Sequence, residues 1–255
     1  MEEAIKAMLA GEYSREWAMQ HLESEISGAN RIAKAVSELN SAVINNPQKK
    51  YVMDHKEKIL EAIQYKSDKT LILVGLINSA FPIGYHTTSV MGKYFHVQDF
   101  VSKALIAEKM GALYAYNKSL DNALYRILPM LIEAGLISRP EKGVYAKNTL
   151  EPHTAEAVAI YKKSFFINNP KAGENYAVED SSYWEYLQGW KEFEELKSAD
   201  KVSDIESFPS NLLHFWKNAV ILFLFPIPII QTFQPYNNHG HHIGKWKRFL
   251  QLDLL

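Results

Sequence analysis

The sequence predicts a mostly α-helical protein with one small β-hairpin near its centre. Three observations lead there. Apolar residues recur at helical spacing in successive segments of the first 200 residues, the pattern of helices that bury one face. Loop-forming clusters, SGAN at 27–30, NNPQKK at 45–50 and INNPKAGEN at 167–175, separate those segments. The clearest departure from helical periodicity is at 136–146. There Leu136-Ile137 and Val144-Tyr145-Ala146 flank Arg139, Pro140, Glu141, Lys142 and Gly143, and Pro and Gly suit a tight antiparallel connection.

Taken in order, Ser14 is placed to cap a helix running to about Glu25, and a second helix spans about 31–43. A third covers about 52–65, with Val52, Ile59, Leu60 and Ile63 apolar. The run TLILVGLINS, 70–79, is apolar almost throughout and reads as a buried helix ended by Phe81-Pro82. VQDFVSKALIAEKM puts Val97, Phe100, Val101, Ala104 and Leu105 on one face of an amphipathic helix. Ser119 is then positioned to cap a helix that turns Leu120, Leu124, Ile127, Leu128 and Leu131 inward and Asn122, Tyr125, Arg126, Pro129 and Glu133 outward. Pro129 removes a backbone donor and should bend this helix, and Gly135 stands where a left-handed C-cap belongs. After the hairpin, TAEAVAIYKKSFF and DSSYWEYLQGWKEFEELK read as two more helices, with Trp184, Trp190 and Phe193 as core. The expected organisation is a helical region at 1–68, a central module at 69–147, a helical extension at 148–204 and a tail at 205–255 rich in aromatics, prolines and histidines.

Composition narrows the function classes. The 255 residues are 47% hydrophobic, enough for a substantial core, and include no cysteine, which excludes disulfides and cysteine-held zinc and suits a reducing compartment. The opening MEEAIKAMLAGEYS carries acids where a signal peptide needs a basic end. The longest apolar run, Ala219 to Ile230, is interrupted by Pro226 and Pro228 and falls short of the roughly 20 residues of a spanning helix. The expectation is a cytoplasmic protein with no membrane partner. Residues 69–147 hold nine Lys and Arg against five Asp and Glu, whereas 148–204 hold six against eleven. The central excess favours an anionic partner.

The succession of helices ending in SLDNALYRILPMLIEAGLI and followed by SRPEKGVYA resembles the winged helix-turn-helix superfamily of DNA-binding domains, over about residues 70–147. The resemblance implies that the third helix of the module enters the major groove and the hairpin touches the backbone or minor groove. By position, Lys118, Ser119, Asn122, Tyr125 and Arg126 would face DNA and Arg139 and Lys142 would sit in the wing. It implies a non-catalytic protein that binds duplex DNA, such as a regulator or an accessory subunit of a DNA-processing or phage-defence system.

Two readings from other classes stand beside it. One is an adaptor that uses the same module for protein contact or self-association. The other is a metal-dependent nuclease, for which Asp180 with Glu195-Leu196-Lys197 has the loose D…ExK spacing; the helical pattern around Glu195 argues against the strands such sites use. His239, His241 and His242 are close enough to bind a transition metal, but a catalytic site also needs a third ligand and a positioned acid or base, so they read as a surface cluster. Phosphate-binding glycine loops and the serine nucleophile elbow are absent. No cofactor or metal is expected.

Overall fold

The helix at Lys66–Ala80 organises the molecule. In the computed structural model, which describes residues 1–173 and 176–189, every residue of this helix from Thr70 to Ala80 is buried. A helix apolar on all sides has no solvent face to keep and must be wrapped by its neighbours. The wrapping elements are α1 (Glu2–Ala10), α2 (Arg15–Glu23), α3 (Ala29–Ala42), α4 (Lys49–Asp54) and α5 (Lys56–Ala62); the central helix itself is α6. Then follow α7 (Pro82–Phe95), β1 (Phe100–Ser102), α8 (Lys103–Leu113), α9 (Leu120–Glu133), β2 (Ile137–Glu141), β3 (Val144–Lys147) and α10 (Ala155–Asn168), with single 3₁₀ turns at Val178–Asp180 and Ser182–Trp184.

Local chemistry accounts for most of these boundaries. The side chain of Ser14 accepts from the Trp17 amide and starts α2 as expected. Phe81 is extended, as a residue before proline tends to be, and Pro82 opens α7 at a position where the missing amide costs nothing. Gly135 has φ +86°, so α9 ends on a left-handed residue as the sequence implied. α10 crosses α6 at Gly75, where an added Cβ would lie 2.8 Å from Ile160 Cγ2 and 2.9 Å from the Ile160 carbonyl oxygen. Buried amides fix that crossing: Gln48 Nε2 donates to Ser79 Oγ and to the Ile160 carbonyl, and Asn46 Nδ2 donates to the carbonyls of Ala42 and Leu76. The NNPQKK segment is therefore stitched into the core through its side-chain N–H donors, which would be costly if left unpaired; Gln48 Oε1 is buried with no hydrogen-bond partner among the described residues.

A small antiparallel sheet, ordered β1-β3-β2, closes one end. Phe100 pairs with Ala146, Val101 with Tyr145 and Ser102 with Val144 on one side of β3. Ile137 pairs with Lys147 and Ser138 with Ala146 on the other, with a register shift before Glu141–Val144. This corrects the expectation for 97–110. Phe100–Ser102 is a strand with alternating exposure, and helix α8 begins only at Lys103, capped by the Ser102 hydroxyl accepting from the Leu105 amide. Val97 and Phe100, expected on the apolar face of a helix, are 75% and 56% exposed.

The segment after α10 also departs from expectation. Residues 178–184 form the two 3₁₀ turns, and Leu187 makes a parallel bridge to Leu150. Tyr183, Trp184 and Tyr186 from this segment are buried against α6, α7 and α10. Asn78 donates to Thr88 Oγ1 and to the Tyr183 hydroxyl, Tyr183 bonds Ser164, and the Tyr186 hydroxyl donates to the Thr88 carbonyl. Trp184 is core, as read; Trp190, Phe193 and the helix expected through Lys197 lie outside the described residues.

Candidate nucleic-acid interface

The face selected from sequence is carried by α9 and the β2–β3 hairpin. α9 runs unbroken through Pro129, and Leu120, Leu124, Ile127, Leu128 and Leu131 are all buried, as its periodicity required. Ile127 packs close to Gly84 of α7, where an added Cβ would lie 3.2 Å from Ile127 Cδ1. That close approach seats α9 on α7.

Lys118, Asn122 and Tyr125 are exposed, Tyr125 to 73%. Lys142 is exposed in the turn, where Gly143 takes φ +78°; Arg139, expected in the turn, is exposed within β2 at the register shift between Ser138 and Glu141, because the strand runs on to Glu141. Ser119 differs from expectation. It precedes α9 but makes no side-chain cap; its hydroxyl and amide both bond the Asn117 side chain, at 2.5 and 3.0 Å. The turn from α8 into α9 instead depends on Ala115 and Tyr116, both left-handed at φ +50° and +52°, a conformation that costs a non-glycine residue about 1 kcal/mol or more. The Tyr116 ring lies over Gly111, so close that a Cβ there would come within 2.8 Å of the ring.

Arg126 is the largest departure. Expected on the solvent side, it is only 26% exposed, and its guanidinium pairs with the Glu38 carboxylate of α3, itself 16% exposed. Burial pulls the Arg126 pKa down from its ordinary value. α3 belongs to a hairpin with α2 that has a small core of its own, Ala18, Ile32 and Val36, and Leu39 and Trp17 also touch the main core.

Sequence reasoning missed Lys103. It is exposed at the first position of α8, its amide donates to the Gly143 carbonyl at 2.7 Å, and its Cβ lies 4.0 Å from the Cβ position of Gly143. Lys103 thus stands beside the Lys142-Gly143 turn, with Arg139 farther back along β2. The signal was present as a Ser-Lys pair opening a helix, but only the strand that precedes it brings that helix start to the hairpin. Exposed acids near this face are Asp121, Glu133 and Glu141.

Among the described residues no three His, Asp or Glu side chains group to hold a metal, and no helix is long and apolar enough to cross a membrane. Asp180 lies in a 3₁₀ turn; Glu195, Lys197, His239, His241 and His242 lie outside the described residues. No family model, no curated protein and no solved structure matches the chain. The described residues define a mostly α-helical protein with a three-stranded antiparallel sheet.

Proposed function

We propose that residues 82–147 form a winged helix that binds duplex DNA, with α9 in the major groove and the β2–β3 hairpin against the backbone. The observation that carries this is the order α7–β1–α8–α9–β2–β3 with strand order β1-β3-β2. It supplies three helices followed by a hairpin, the succession on which the resemblance rests, with α7 in place of the 70–79 helix as the first and with β1, absent from the sequence reading, before the second. Lys118, Lys103, Arg139 and Lys142 supply phosphate contacts, and Asn122 presents the donor and acceptor pair that suits an adenine edge. With Arg126 engaged by Glu38, backbone contacts dominate and sequence preference is weak. The work is non-catalytic, that of a regulator or an accessory subunit of a DNA-processing or phage-defence system.

Titration of a mixed-sequence duplex between about 50 and 200 mM salt tests the reading. The Lys118→Ala, Arg139→Ala, Lys142→Ala triple variant should bind more weakly and flatten the log–log salt slope by up to about 2.7, about 0.9 per lost phosphate contact. An unchanged slope in a folded variant, or no salt-dependent binding by the natural chain, refutes it. A protein-contact reading is favoured by Leu113, Tyr116 and Tyr125, which are 60%, 71% and 73% exposed at the same turn and helix. It gives the opposite outcome in that titration.

A further inference from the structure

A second surface, to which no residue of α9 or the hairpin contributes, has the character of a ligand site. An open cleft of about 510 Å³ lies where the α1–α2 turn meets the end of α3 and the start of α4, within the size range of small-molecule pockets. Arg15 and Lys49 line it, and no carboxylate among the described residues does, although Glu12 and Glu16 stand near Arg15 in the chain. Neither cation has an acidic partner within ion-pair distance among the described residues.

Other polar groups of the wall can donate to an anion. The Tyr13 hydroxyl donates to Asn40 Oδ1 at 2.6 Å, so the acceptor of that carboxamide is used and its two N–H donors remain. Asn45 adds a second exposed amide. Met8, Ile44 and Met53 form the apolar part of the wall. Gly11 turns the chain with φ +77°, and an added Cβ there would meet nothing within 4 Å, so the space beside it is open.

We infer that this cleft binds a small organic anion, a phosphate or carboxylate carried on an apolar or aromatic body, with Arg15 and Lys49 holding the anionic group, the Asn40 amide adding a donor, and the methionines covering the body. Two cations lining one cleft with no carboxylate in its described wall favour an anion there, which gains charge-assisted hydrogen bonds. The inference is independent of DNA binding, because none of these residues lies on α9 or the hairpin.

Calorimetric titration of the full chain with AMP, phenyl phosphate and benzoate tests it, with inorganic phosphate and adenosine as the separated halves. At least one of the three organic anions should bind saturably at about 1 mM or tighter, and each half should bind at least about tenfold more weakly. Arg15→Gln and Lys49→Gln should each weaken binding about tenfold. Met53→Glu, at a 41% exposed rim position, should abolish binding by placing a carboxylate beside the anion while leaving the circular dichroism spectrum unchanged. No saturable binding by any of the three, or binding that survives the Arg15→Gln, Lys49→Gln double variant, overturns the inference.

Discussion

Glu38→Gln separates the two tasks that the fold sets for Arg126. In the natural chain the guanidinium is held by a carboxylate from α3, and both side chains are mostly buried, at 26% and 16% exposure. Exposed pairs contribute at most about 1 kcal/mol, whereas removing one member of a fully buried pair costs about 3–5 kcal/mol. Glutamine keeps an acceptor oxygen in place, so the loss should fall near the lower figure, about 1 kcal/mol, or about 2–4 °C in melting temperature for a chain of this size. On the DNA-binding reading the same change should raise affinity. It removes a negative charge beside α9 and weakens the contact that turns Arg126 toward α3, so the guanidinium can swing toward a phosphate. One such contact is worth about 1.4 kcal/mol, a tenfold tightening at low salt, and should steepen the salt slope by about 0.9. Fluorescence anisotropy on a labelled mixed-sequence duplex, with thermal unfolding of the same samples, measures both quantities. A variant that is less stable but tighter on DNA supports the reasoning. A folded variant whose affinity is unchanged or lower refutes it, because Arg126 would then not face DNA even when released.

Two further perturbations test the framework that positions the site. Gly75→Ala adds a methyl against the backbone carbonyl of Ile160, 2.9 Å away, so α10 must shift by a few tenths of an ångström. The expected cost is about 1–3 kcal/mol, read as a lower denaturation midpoint, and an unchanged midpoint would mean that the crossing is looser than described. Asp68 is fully buried and accepts from the His153 amide at 2.7 Å. Burial raises its pKa despite hydrogen bonds from His153 and Thr154. Because the folded form holds the proton more tightly, the stability this confers is present below the ordinary carboxylate pKa and is lost as pH rises through the raised folded value. Asp68→Asn removes that loss, so the natural chain should become less stable relative to the variant as pH rises from about 3 to 7, measured by urea unfolding; a constant difference would contradict the assigned shift.

α9 and its hairpin were legible in the sequence because their signals are local. Five leucines and isoleucines at helical spacing, a glycine at the C-terminus and a Pro–Gly turn each act within a few residues. β1 was not legible, because Val97, Phe100, Val101, Ala104 and Leu105 imitate a helix face and the strand's partner, β3, lies more than 40 residues away. α7 was hidden for a different reason. Glycine lowers helix propensity and threonine is mostly a surface residue, yet Gly84, Thr87, Thr88 and Gly92 are all buried in it. An added Cβ at Gly84 would crowd Asn78 and Ile127, one at Gly92 would collide with the Ser182 carbonyl, and Thr88 is bonded by Asn78 and Tyr186. The Glu38–Arg126 pair joins helices far apart in the chain, and neither residue carries a local mark of the other.

The placement of α7 connects the buried polar network to the exposed face. A buried amide or hydroxyl costs about 1–3 kcal/mol when its partner is lost, so Asn78, Thr88, Ser164 and Tyr183 strongly favour one arrangement of α6, α7, α10 and the 3₁₀ segment over sliding alternatives. α9 rests on α7 through Ile127 and Gly84, and its C-terminus is held by Asn148 Nδ2 donating to the Gly135 carbonyl at 2.9 Å. Lys147, at the end of β3, reaches Glu185 at 2.5 Å, and Glu185 also meets His96 beyond α7. Burial would raise the Glu185 pKa, but Lys147 and His96 outweigh it and hold the carboxyl below its ordinary value. The exposed face of α9 is thus set by contacts that begin before residue 82 and end after residue 147. A fragment cut to those limits would lose Asn78, Asn148, Tyr183 and Glu185 together, so weak DNA binding by such a fragment would report lost support for α9 rather than the affinity of the face itself.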